Sequence, residues 1–199
     1  NGQAVILNSN GTVTAVAETS TTTPESIPTG SKTAFNSADT NFAVSACDPT
    51  NNNKFVTAYM DITNSNYGTA IVGTVSGTTI SFGAQATFNA ASTLSTAIAF
   101  DPINSGKCVV AYKDGGNSSQ GTACVGTVSG TSISFGTESV FNAASTKFNS
   151  VAFDPNTSGK CIIAYQNTGS GDKGTSSVGT VSGTSISFGS TVIFANADT

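Results

Sequence analysis

Gly-Thr-Val-Ser-Gly-Thr occupies residues 73–78 and returns at 126–131 and 179–184, each time 53 residues further on. The same interval separates Phe-Asp-Pro at 100–102 and 153–155, with Cys47-Asp48-Pro49 one interval earlier, and it separates Ala-Tyr at 58–59, 111–112 and 164–165. Outward from these anchors, three copies align without insertion or deletion at 35–87, 88–140 and 141–193, and residues 194–199 open a further one or supply a closing strand. A fixed period of this length marks a repeat architecture, in which each unit buries its apolar faces against its neighbours. Residues 1–34 precede the register. Residues 3–7 and 12–17 read as a hairpin around Asn8-Ser9-Asn10-Gly11, part of another unit, whereas the Thr-rich stretch 18–29 with its two prolines reads as a linker.

Within a copy the pattern is β throughout. In the third, residues 148–153, 161–165, 176–181 and 185–194 are rich in β-branched and aromatic residues, the last run broken at Gly189. Ser182-Gly183 sits between two of them as a tight hairpin turn does, and Asp154-Pro155 ends a strand because proline cannot donate to a ladder. No stretch carries a helical apolar period. The fold class expected is all-β: a β-propeller-like array of four-stranded blades, with another stacked β-repeat architecture as the alternative. Residues 108–112 (Cys-Val-Val-Ala-Tyr) and 161–165 (Cys-Ile-Ile-Ala-Tyr) are apolar on both sides, as a strand sandwiched between neighbours requires. Phe35, Phe88, Phe141 and Phe194, and likewise Phe82, Phe135 and Phe188, recur once per repeat and read as core ladders. Gly126, in the repeated motif, answers a backbone or close-packing need.

Composition removes whole classes of function. Only 9% of the 199 residues are charged, and there are seven Lys, no Arg, no His and no Trp against eleven acids, for a net charge of −4. Phosphate backbones are gripped by clustered Arg and Lys, so nucleic acid is not an expected partner. Without His there is no Ser-His-Asp or Cys-His nucleophile, no HExxH zinc site and no imidazole base. No apolar run approaches the roughly 18 residues of a membrane span. The chain begins at Asn1 with no signal-type segment, and reads as a processed product or a piece of something longer.

The run Gly-Thr-Ala-Cys-Val-Gly-Thr-Val-Ser-Gly-Thr-Ser-Ile-Ser-Phe-Gly at 121–136, together with the opening Gln3-Ala4-Val5-Ile6-Leu7-Asn8-Ser9-Asn10-Gly11-Thr12-Val13, resembles the tandem repeat regions of marine bacteriophage tail-fibre-like and environmental surface repeat proteins. The resemblance covers essentially the whole chain. It implies a virion-surface or extracellular location and a role in attachment, and it brings no catalytic residues.

The four cysteines share repeat positions with Phe55, with Phe100 and Phe153, and with Ile71 and Ser177. They are expected as buried thiols, one disulfide being the alternative; there is no CxxC spacing, and no metal or cofactor is expected. Asp48, Asp101 and Asp154 precede proline once per repeat and read as turn caps, or alternatively as a ring of carboxylates binding a cation or a sugar. Asp61 and Asp114 share a second position, which Asn167 fills in the third copy; nothing pairs two carboxylates as a glycosidase requires. The copies differ most at residues 60–67, 113–120 and 166–173. Asn64, Asn66, Tyr67, Asn117, Gln120 and Asp172 in those loops form the candidate ligand site, a ring to stack on and amides to donate and accept, suited to a host surface glycan. Drift in solvated turns is the bland alternative. The functional expectation is a non-catalytic virion or cell-surface adhesion module, with a ligand-free spacer or decoration domain as the alternative and a polysaccharide-degrading enzyme behind both. The partners expected are a host glycan and either further copies of the chain or neighbouring repeats of a longer one.

Overall fold

The structure, a computed structural model, describes residues 5–9, 13–15, 32–51 and 53–196; the chain divides into two compact units, residues 1–30 and 31–199. In the first, β1 (Val5–Leu7) and β2 (Val13–Ala15) pair antiparallel with Ile6 opposite Thr14, the hairpin expected there. The linker reading of 18–29 lies outside the described residues, as do residues 197–199.

The second unit is one antiparallel sheet of twelve strands. They are β3 (Thr40–Cys47), β4 (Lys54–Asp61), β5 (Tyr67–Ser76), β6 (Thr79–Phe100), β7 (Lys107–Asp114), β8 (Gln120–Ser129), β9 (Ser132–Phe135), β10 (Ser139–Phe153), β11 (Lys160–Asn167), β12 (Lys173–Ser182), β13 (Ser185–Phe188) and β14 (Val192–Ala195). The hydrogen-bond register keeps the sequence period: Ala46 faces Val56, Ala99 faces Val109 and Ala152 faces Ile162. So do the side chains, since the ammonium groups of Lys54, Lys107 and Lys160 each donate to a threonine hydroxyl twenty residues on, at 2.6, 2.7 and 2.7 Å. Each repeat is therefore one tier, of four strands in the first; in the second and third the last strand is split in two, β9 with the start of β10 along β8 and β13 with β14 along β12.

Hairpins within a tier turn on Gly77, Gly130 and Gly183, whose φ of 58–62° at the first residue of a two-residue loop is the geometry such turns reserve for glycine. Passage between tiers uses no loop at all. The first part of β6 pairs with β5 and its second part with β7; β10 divides in the same way between β8 and β11. Register shifts at Asn41/Val44, Leu94/Ala97 and Lys147/Ser150 coincide with positive φ at Phe42 (52°), Ser95 (49°) and Phe148 (52°), so each tier carries one bulge at the same place, in the long strands just beyond the change of partner.

Apolar packing runs between tiers. Val109, Ala111, Ala123 and Val125 pack with Cys161, Ile163 and Tyr165 of the third tier, while Cys108, Val110, Tyr112 and Cys124 pack with Val56, Ala58, Ala70 and Val72 of the first. All of residues 108–112 are 0% exposed, so the expectation of two dry faces holds for the middle tier. The phenylalanine ladder interleaves: Phe88 lies against Tyr112 and Phe135, and Phe141 against Tyr165 and Phe188, at centroid separations of 5.0–5.8 Å. The rings cover glycines: a Cβ on Gly68 or Gly121 would fall 2.5 or 2.4 Å from the ring of Phe88 or Phe141. Gly126 is crowded as expected, a Cβ there lying 2.6 Å from Cys108 Sγ.

The all-β reading stands, but the propeller does not appear. The sheet runs from β3 to β13 and neither closes nor curls. The physical reason lies in the connection. A propeller places each blade around a shared axis, whereas here an uninterrupted strand carries hydrogen bonding from one tier directly into the next.

Candidate functional site

The sheet has two loop edges. On one lie the Asp-Pro turns that join β3 to β4, β6 to β7 and β10 to β11. The Asp101 carboxylate is 0% exposed; Oδ1 accepts from the backbone N–H groups of Ile103 (2.9 Å) and Asn104 (3.1 Å), and Oδ2 from Asn104 Nδ2 (2.8 Å) and from the N–H of Gly159 in the next tier (2.8 Å). Thr50 Oγ1 donates to Ser105 Oγ at 2.9 Å, and Asn104 Nδ2 to Ser158 Oγ at 2.5 Å, so this edge is stitched from tier to tier. The turn-cap reading of the aspartates fits this geometry, and Asp48 and Asp154 cap their own turns through the N–H groups of Thr50 and Asn156.

Burial alone would raise the Asp101 pKa, but the hydrogen bonds from Ile103, Asn104 and Gly159 outweigh it and hold the carboxyl below the ordinary range. A depressed folded pKa contributes stability that is complete above the unfolded value of about 3.9 and is lost as pH falls through the folded value. Asp101→Asn is expected to weaken the fold at neutral pH by about 2–3 kcal/mol, because an amide must turn its NH2 toward one of the two donor pairs. At roughly 2–4 °C per kcal/mol this lowers Tm by about 4–12 °C, and the difference from the parent shrinks below pH 4. Asp154→Asn, at an exposed site, serves as the control. Equal Tm values for parent and Asp101→Asn at pH 7 would remove the stitch.

The opposite edge carries the variable loops, between β4 and β5, β7 and β8, and β11 and β12. Their sequences differ but they share one backbone feature: Ser65-Asn66 (φ 54° and 62°), Ser118-Ser119 (53° and 63°) and Gly171-Asp172 (76° and 56°) are consecutive left-handed pairs at the same position. Gly, Asn and Asp tolerate this region, and serine holds it at Ser65, Ser118 and Ser119. Each loop is anchored at its base. Asp61 Oδ1 accepts from Thr63 Oγ1 (2.9 Å) and the N–H of Asn64 (3.2 Å), Asp114 Oδ1 from the N–H of Gly116 (2.9 Å), and Asn167 Oδ1 from that of Gly169 (3.1 Å), at the start of a 3-10 turn Thr168–Ser170. A residue the sequence reading passed over completes the base. Asn89 Nδ2 donates to Thr93 Oγ1 (3.0 Å) and Asp114 Oδ1 (3.2 Å), and Asn142, one period on, exchanges bonds of 3.3 and 3.2 Å with Asn167. The recurrence of Asn one residue after Phe88 and Phe141 was its only signal.

The candidate ligand residues all lie on this edge. Asn64 is exposed, and its carbonyl accepts from the N–H of Tyr67 at 3.0 Å. Asn66 is half-buried in the left-handed position, with its carbonyl on the N–H of Thr93 (3.1 Å). Tyr67 is half-buried at the start of β5. Asn117 is exposed and donates from Nδ2 to Oε1 of half-buried Gln120 at 3.0 Å, while Asp172 is half-buried with φ 56°. Asn64, Asn66 and Tyr67 therefore share one loop, Asn117 and Gln120 the next, and Asp172 the third. Asn66 and Asp172 hold a turn conformation, a task separate from any ligand.

Cys108, Cys124 and Cys161 are buried free thiols; burial pushes Cys108 up to about 12 and Cys161 to about 11, and Cys124 well above its usual value. Cys47 departs from expectation and is exposed, because it lies on the edge strand β3, where no described sheet covers it as the first tier covers Phe100. Burial raises Tyr59 and Tyr165 to about 12 and Tyr112 further, with Cys124 and Glu138 adding to the last. Among the described residues no three His, Cys, Asp or Glu side chains cluster as a metal site, and no helix is long and apolar enough to cross a membrane. No family model matches the chain, and neither a curated protein nor a solved structure is similar to it.

Proposed function

We propose that the chain is a non-catalytic surface module, of the tail-fibre-like kind, that attaches a virion or cell surface to a host glycan through its variable loop edge. The observation that carries this reading is the set of three left-handed pairs, one per tier, holding different side chains on one shared backbone feature. A fixed scaffold with varied exposed residues is how binding loops are built. Tyr67 offers a ring face, and Asn64, Asn117 and Gln120 offer amides, spread over successive tiers. Such shallow contacts bind weakly one by one, with a dissociation constant of about 1 mM corresponding to about −4 kcal/mol, and gain strength when several engage together. The non-catalytic part of the reading rests on the lack of His and Arg and on Asp61 and Asp114, each 5% exposed and engaged at a loop base.

The ligand-free spacer remains the second reading, favoured by one observation: the Asn117 and Gln120 amides are bonded to each other. The two readings separate on a glycan array with the purified chain and with the double variant Tyr67→Ala/Asn117→Ala. Adhesion predicts binding to a discrete set of glycans, reduced at least tenfold in the variant while Tm stays within 2 °C. No binding at any glycan supports the spacer, and shortening of a polysaccharide incubated with the chain supports the enzyme.

A further inference from the structure

One apolar sheet face is left open. The first tier's face with Val56, Ala58, Ala70 and Val72 and the second tier's with Val109, Ala111, Ala123 and Val125 are 0% exposed. The same positions in the third tier are Ile162, Ala164, Ser176 and Val178, with Ile162 52% and Val178 47% exposed. The surroundings follow suit. Phe194 is 63% exposed where Phe88 and Phe141 are 5%, and Asp154 is exposed where Asp101 is 0%. Two grooves run along this face, one of about 450 Å³ between Phe148, Ala164 and Phe194, the other of about 460 Å³ between Phe153, Ile162 and Val178.

Gly189 says what fits there. At the equivalent Gly83 and Gly136, a Cβ would stand 1.8 Å from the backbone oxygen of Thr131 and of Thr184, each in the hairpin of the next tier. At Gly189 the nearest atom is Val178 O at 3.9 Å, and φ is not in the left-handed region. The third tier thus keeps a glycine for which its own structure has no use. Moreover, β14 pairs with β12 in the register that β10 uses on β8: Ser176 with Val192 and Thr175 with Ile193, as Ala123 with Ser139 and Thr122 with Val140.

We propose that this face seats one further unit of the same 53-residue type, whose Cys/Ile/Tyr face closes over Ile162 and Val178 as those of the second and third tiers close over the tiers before them. A second copy of this chain fits less well. Its corresponding face, on the first tier, is already buried at Thr57 (5% exposed), Tyr59 (0%) and Ile71 (3%).

The test uses Ile162→Cys as a reporter in the 199-residue chain and in the same chain extended after Thr199 by a further copy of residues 147–199, which keeps the period and carries Cys161→Ala within the added copy so that it brings no further thiol. A maleimide reads out accessibility, with exposed Cys47 as the internal standard and Cys108, Cys124 and Cys161 silent through burial. The expected result is labelling at position 162 comparable to Cys47 in the 199-residue chain and at least tenfold slower in the extended one, with Cys47 unchanged. Gly189→Val supplies a second measurement: neutral for Tm in the 199-residue chain, destabilising in the extended one. Equal labelling of both chains, a neutral Gly189→Val in the extended chain, or protection in the 199-residue chain that grows with its concentration would overturn the proposal, the last in favour of a second copy.

Discussion

Gly136→Ala is expected to cost at least about 3 kcal/mol, whereas Gly189→Ala, the same change one repeat later, leaves stability within about 0.5 kcal/mol. The added methyl at 136 would sit 1.8 Å from Thr184 O and 2.8 Å from Thr184 C, atoms of a hairpin backbone with no flexible end to swing aside. Relief requires the second and third tiers to part, and that opens the cluster in which Val109, Ala111, Ala123 and Val125 meet Cys161, Ile163 and Tyr165. The penalty is a clash plus lost packing, at the upper end of what overpacking does. Gly83→Ala, facing Thr131 O at the same 1.8 Å, belongs with Gly136→Ala. Thermal or urea unfolding of the three variants decides the matter; a Gly136→Ala protein melting within 2 °C of the parent would mean that the tiers are not in backbone contact.

The sequence carried the tier but not the way tiers are joined. Strand positions, the glycine hairpins and the two dry faces of residues 108–112 were legible because each depends on local pattern: alternation, a turn residue, an unbroken apolar run. The relation between tiers depends instead on β6 and β10 running unbroken through the change of partner, with Ser95 and Phe148 just beyond it. A left-handed residue there bends a strand that continues on both sides. Neither serine nor phenylalanine announces that conformation, which costs an L-residue roughly 1–2 kcal/mol and is sustained only by the packing around it. A reader of the sequence supplies a break between units, and a break suggests separate blades. The loop edge was legible to a similar depth. Variation among residues 60–67, 113–120 and 166–173 pointed to it, but Asn66 and Asp172 were read for their side chains when their backbone conformation is their visible role. Asn89 and Asn142 were passed over because the recurrence of Asn after Phe35, Phe88 and Phe141 reads as part of the phenylalanine ladder; the bonds to Asp114 and Asn167 give it its meaning.

Phe141→Ala should lower stability by about 3–5 kcal/mol, or roughly 6–20 °C in Tm, while Phe194→Ala changes it little. The two residues share a repeat position and similar strand pairing, so the intrinsic preference of phenylalanine for a strand is common to both. What differs is the tier beyond. Phe141 is 5% exposed, with its ring 5.0 Å from that of Tyr165 and 5.8 Å from that of Phe188, both in the third tier, and it covers the backbone at Gly121, where no side chain fills the space. Phe194 also lies over a glycine, Gly174, but is 63% exposed. Truncation at 141 removes a buried ring and leaves a cavity bounded by two tiers; truncation at 194 removes a ring that water already reaches. Phe141→Leu separates volume from ring contact: it keeps most of the filled space but loses the aromatic pairs, for an expected cost of about 1–2 kcal/mol. If Phe141→Ala and Phe194→Ala proved equally mild, the ring would be held by its own strand alone, and the phenylalanine ladder could not be what binds one tier to the next. A large difference with Phe141→Leu in between locates the stabilisation in the interface, where the repeat period becomes a packing period.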